Sequence, residues 1–241
     1  MKLKHIKLVG LIAVNFVREQ RWPILVLQLS VLGLAALGLL PNARSERDDL
    51  LLLFKQLGMY GVAFSIFFGG SAIYNERRSR RILAVLSKGV TRRDYLSGLL
   101  LGVGLSSGLF CFMLGFTGTW ILAPLGFSFT YLWYLMLCTV TACVLSASVA
   151  LFYSTHLNPW MSAMFTALTL SIPGVLASQL GGVWLYILPL YRLGKVFTNA
   201  SFEHPGMSAG WAVQAAMAET VIFWLAAVWV FQRVDVAVAV D

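Results

Sequence analysis

Residues 103–129, VGLSSGLFCFMLGFTGTWILAPLGFSF, contain no Asp, Glu, Lys or Arg. A water-soluble fold would have to surround such a run with a charged shell, and the chain lacks the residues to build one. It is 59% hydrophobic and only 12% charged, whereas soluble domains carry roughly a quarter charged residues. Lipid must therefore cover these faces. In lipid every backbone polar group has to be satisfied internally, so runs of this length read as spanning helices.

About 20 apolar residues cross a bilayer as a helix. Applied outward from 103–129, that ruler marks six spans at 22–40, 50–74, 95–123, 131–153, 160–180 and 211–232. The predicted fold is a single all-α membrane domain over 1–241. The third span is too long to stand upright, so it should tilt, or break near its glycines. Trp22, Trp133, Trp160, Trp211 and Trp229 fall near the predicted span ends, where an amphipathic ring is stable.

The net charge of +8 does not point to nucleic acid, because the basic residues sit in short segments between apolar spans. Lys2, Lys4, Lys7, Arg18 and Arg21 precede the first span; Arg77, Arg78, Arg80, Arg81, Lys88, Arg92 and Arg93 separate the second and third. Short loops rich in Lys and Arg stay cytoplasmic. The expectation is a multi-pass protein of the inner (plasma) membrane with both termini in the cytoplasm.

Segment 1–21 alternates basic and apolar residues, unlike a cleavable signal, and should be retained as a helix lying in the membrane interface. Segment 181–210 holds an apolar run too short to cross and should form a shallow extracytoplasmic re-entrant or interfacial element. Cys111, Cys138 and Cys143 all lie in apolar runs, which fits packing residues better than a disulfide framework or a metal site.

The most informative polar stretch is 74–95, YNERRSRRILAVLSKGVTRRDY, the one sizeable cytoplasmic connection. Ile82, Leu83, Val85 and Leu86 can share one face of a short helix while Arg77, Arg78, Arg80 and Arg81 project elsewhere. Charge alone leaves two uses open: fixing topology against anionic headgroups, or docking a partner.

Glu76-Arg77-Arg78, Ile82-Leu83, Leu86-Ser87, Thr91-Arg92 and Tyr95 resemble the loop after the second helix in ABC-2 type permeases. The layout is similar over nearly the whole chain: interfacial amino-terminal helix, six spans, cytoplasmic loop after span two, extracytoplasmic element before span six. The resemblance implies that 75–94 carries a coupling helix, docked in a groove of a separate cytoplasmic ABC ATPase subunit. Glu76, Arg77, Arg78, Arg80 and Arg81 would make its polar contacts, and Leu83 and Leu86 would pack beneath. It also implies a second permease protomer, identical or not, and ATP and Mg held by the partner. No phosphate-binding loop is present; the nearest look-alike, Gly194-Lys195, is followed by Val196 and has Pro189 in place of the first glycine.

The expected function is thus the membrane subunit of an ABC transporter, an exporter. The alternative is a non-transporting scaffold or assembly factor that recruits a cytoplasmic protein through the same basic loop. A third class, an intramembrane serine protease, is raised by Gly104-Leu-Ser106-Ser-Gly108. A serine needs a positioned base, yet His5, His156 and His204 all fall outside the spans. Gly98, Gly102, Gly104 and Gly108 read instead as marks of close helix packing.

Glu219 is the one carboxylate well inside a predicted span and therefore a candidate intramembrane polar site. Its competing readings are a later start of span six, which would leave it at the outer interface, or a hydrogen bond to a neighbouring helix. Gln28 reads as a packing hydrogen bond, His156 as a solvated turn residue, and Pro173-Gly174 as a loosening or bend in span five.

Overall fold

The computed structural model describes residues 2–38, 47–78, 90–122, 129–180 and 207–233. Among them there are seven α-helices and no strand: α1 Lys2–Glu19, α2 Arg21–Gly38, α3 Arg47–Arg78, α4 Arg92–Leu122, α5 Phe129–Ser154, α6 Pro159–Leu180 and α7 Met207–Arg233. Four of these, α3, α4, α5 and α7, are long and apolar enough to cross a membrane, which is the make-up of a membrane protein. Helices α2 and α6 carry shorter apolar stretches, Arg21–Gly33 and Pro159–Ile172. The segment 181–206 and most of the expected coupling loop, 79–89, lie outside the described residues.

Helix α4 has 31 residues, about 46 Å at 1.5 Å per residue, and exceeds the roughly 30 Å hydrocarbon layer. It runs unbroken through Gly102, Gly104 and Gly108, so of the two expected alternatives, tilt or break, the break is absent. Helix α6 likewise stays helical through Pro173 and Gly174.

Helix α5 is the hub, packing on α3, α4, α6 and α7, while α4 adds α1 and α2 on its far side. Small residues explain the central position of α5. Ala142, Cys143, Ser146, Ala147, Ser148 and Ala150 are all buried, and short side chains let neighbouring backbones come close. Their hydroxyls do not need partners on other helices. Thr139 donates to the Leu135 carbonyl at 2.8 Å and Ser146 to the Ala142 carbonyl at 2.7 Å, so the helix satisfies its own polar atoms. The tightest approach is to α3, where a Cβ on Gly69 would lie 2.7 Å from the Ala147 carbonyl oxygen.

The glycines of α4 do not form one stripe. A Cβ on Gly98 would meet Ile12 at 2.6 Å and one on Gly102 would meet Phe16 at 2.8 Å, so these two make room for α1 rather than for another span. A Cβ on Gly104 would be at an ordinary 3.6 Å from Val144, and one on Gly108 would meet nothing within 4 Å.

Helix α1 climbs along α4: His5 meets Asp94, Ile12 faces Gly98 and Phe16 faces Gly102. Its second buried residue, Ala13, shares that face. Ile6, Leu11 and Val14 are exposed on the outer side, interleaved with the exposed Lys7 and Arg18. A helix that packs one side on protein and mixes apolar and basic residues on the other suits the boundary between bilayer and water. It breaks at Gln20, and α2 follows with Pro23 in its first turn, where the missing N–H costs nothing.

Candidate functional site

Of the residues expected to form the coupling contact, Glu76, Arg77 and Arg78 form the last turn of α3, which runs four residues past the predicted span end. Arg80, Arg81, Leu83 and Leu86 lie outside the described residues. What the structure does show is how the chain leaves this loop.

Val90 is buried at the base of the bundle with Tyr95, Leu96 and Phe231. Thr91 caps α4, its Oγ1 accepting the Asp94 N–H at 3.1 Å, and so satisfies a donor the helix leaves open. Arg92 reaches across to α7 and donates to the carbonyls of Phe231 at 2.5 Å and Gln232 at 3.2 Å. A cation is favourable there because the last carbonyls of a helix carry its negative pole. The same guanidinium stands 5.5 Å from the Phe231 ring centroid. Asp94 completes the junction through the His5 Nδ1 of α1, at 2.9 Å.

Five residues, Val90 to Asp94, thereby tie the loop's outgoing end to α1, α4 and α7. From the sequence, Thr91, Arg92 and Tyr95 read only as part of the loop motif, with no junction assigned to them. The available signal was Thr91-Arg-Arg-Asp94, a cap residue with an acid three positions on. Arg92's reach to α7 had no signal, since 139 residues separate it from Phe231.

Glu219 lies near the middle of α7, twelve residues after Met207. It is partly buried, on the side of α7 that carries Ala216 and Phe223 three and four residues away. Those two pack against Cys138, Ala142 and Leu145 of α5. Glu219 has no hydrogen bond or ion pair among the described residues, so the neighbouring-helix hydrogen bond is not formed there. Gln28 departs from expectation in the same way: both its amide atoms are buried with no partner among the described residues.

The serines of the Gly-x-Ser-x-Gly stretch are engaged in packing. Ser106 Oγ donates to the Gly102 carbonyl at 2.9 Å. Ser107 bonds the Val103 carbonyl at 2.9 Å and lies 3.0 Å from Ser65 Oγ across the α3–α4 contact. Cys143 of α5 joins that pair and Cys111, giving a buried polar knot at the middle of the bundle. His156 is exposed and is held by Thr155 Oγ1 at 2.9 Å, with its ring edge-on to Phe152. No group of three metal-ligating side chains occurs among the described residues.

These features define a helical membrane protein in which α1, α4 and α7 are joined at one end through Val90 to Asp94. No family model matches the chain, and no curated protein matches its sequence.

Proposed function

We propose that this chain is the membrane subunit of an ATP-binding cassette transporter, an exporter of the ABC-2 permease type driven by a separate ATPase. In this reading α2 to α7 supply six spans and α1 is an interfacial elbow. The end bearing α1, the loop and the end of α7 faces the cytoplasm of the inner membrane. Two protomers face each other to form the path, and ATP and Mg reside in the partner subunit.

The observation that supports the reading is the junction at Val90 to Asp94. A force on residues 79–89 would arrive at a buried valine, a helix cap, an arginine on the end of α7 and a carboxylate on α1. Packed helices move as rigid bodies rather than deforming continuously, so such a base would pass a push from a docked ATPase to three helices together. A loop serving only to fix topology has no use for that bracing.

The test is affinity purification of the tagged protein in mild detergent, with identification of what co-purifies and an ATPase assay. A stoichiometric subunit bearing a nucleotide-binding loop is expected, with its binding lost on Glu76→Ala or on reversing charge at Arg80 and Arg81. Its repeated absence would favour the scaffold. Co-purification unchanged by the variants would remove the loop as the contact.

A further inference from the structure

Between α4 and α7, over the flank of α5, lies a laterally open groove of about 300 Å³, lined by Ser97, Leu100, Gly104, Val144, Val221 and Trp224 among others. Its surface is almost wholly apolar. The two hydroxyls on its wall are turned back onto their own helices: Ser97 Oγ donates to the Arg93 carbonyl at 2.8 Å, and Thr220 Oγ1 to the Ala216 carbonyl at 2.8 Å. Leu101 and Val221 stand half-exposed at its edges, so it opens sideways.

At one end a cation is held in place. The Arg93 guanidinium stands 5.0 Å from the Trp224 ring centroid, a distance at which ring and cation attract, and Arg93 is exposed. From Arg93 to Gly104 the helix advances eleven residues, about 16 Å, close to half the roughly 30 Å hydrocarbon thickness. The groove's own lining on α4 runs from Ser97 to Gly104, about 10 Å, and Arg93 stands one turn beyond its end. The groove is too small for another helix, which with side chains is about 10 Å across.

We propose that this groove holds one acyl chain of an anionic phospholipid whose phosphate is bound by Arg93. The wall offers a polar ligand little, since both hydroxyls already donate to their own helices and the unpartnered donor of a lining residue, Trp224 Nε1, is itself buried. The planar fork of arginine matches phosphate oxygens, and Trp224 holds that fork at the groove mouth. The inference requires only that α4 and α7 lie in a bilayer, and stands apart from the transporter reading.

The test uses the full-length protein in phosphatidylcholine vesicles doped with phosphatidylglycerol that carries a diazirine on one acyl chain. Photo-adducts are mapped by peptide mass spectrometry. Adducts at Leu100, Leu101 and Val221 should exceed those at Ile222 and Leu225, which lie at the same depth on α7 outside the groove and are exposed. Arg93→Gln should lower the groove adducts about fivefold, the effect of one basic residue at an anionic surface, and leave Ile222 and Leu225 unchanged. Gly104→Leu, which has room for its Cβ, should displace the chain. If that variant fails to fold, Arg93→Gln and a diazirine phosphatidylcholine probe on the unaltered protein still decide. Equal labelling inside and outside the groove means bulk lipid only and overturns the proposal, as does indifference to Arg93 and to headgroup. A groove shielded from lipid by a cross-linked protein neighbour overturns it too.

Discussion

Helices α5 and α7 are similar by length and composition, yet the bundle uses them in opposite ways. Their apolar stretches have 23 and 24 residues, and an 18-residue window within each has a mean hydropathy of 2.2 and 1.6, but 78% of that window is buried in α5 and only 22% in α7. Hydropathy measures tolerance of lipid and is blind to which neighbour covers a helix. Side-chain size carries the distinction. Cys143, Ser146, Ala147 and Ala150 let α5 be approached from several sides, whereas Trp211, Met217, Ile222, Leu225 and Trp229 project outward from α7. In a bilayer there is no hydrophobic drive between helices, so close contact of small residues is what selects the centre.

The sharpest break of that comparison is at the α3–α5 approach. Gly69→Leu should destabilise the protein by about 3 kcal/mol, since the obstructing atom is the backbone oxygen of Ala147, which cannot swing aside. Gly108→Ala, with nothing within 4 Å, should be neutral or slightly stabilising. Unfolding midpoints in mixed detergent micelles would show both, and equal effects would mean that close approach does not organise the bundle.

A smaller contrast sets Leu145 on α5, 1% exposed, against Ile222 on α7, 62% exposed. Leu145→Ala should cost about 2 kcal/mol through lost packing, and Ile222→Ala less than about 0.5 kcal/mol. The same unfolding assay measures the gap, and a reversed order would place α7 rather than α5 at the centre.

The smallest effect concerns the arginine that ties the last turn of α7 to α4. Arg92→Ala should remove about 1 kcal/mol of capping from that turn, and Arg92→Lys should recover part of it. Hydrogen exchange should quicken severalfold over 228–233 and stay constant near Ala212. Unchanged exchange would show that the arginine merely lies on the helix end.

The helical class was legible because apolar runs near the bilayer ruler leave little other choice. A helix lies over each of the six apolar stretches, but four of them are long and apolar enough in the described residues to span. Pairing was less legible. Gly98 and Gly102 read as marks of close helix packing and do pack closely, on Ile12 and Phe16 of α1, but a glycine signals room without naming what fills it. Glu219 stood out at once, since a carboxylate in an apolar run is conspicuous by type alone. The Arg92 contact did not, because it depends on where the two ends of α4 and α7 meet.

The solvent, the helical class and the basic loop each follow from composition and charge along a local window. That α5 lies at the centre, that α1 rides on α4, and that Val90 to Asp94 join α4 to α7 emerges from the packed bundle alone. Those are contacts between residues far apart in the chain. They rest on side-chain shape matched across helices, which no local window of residues contains.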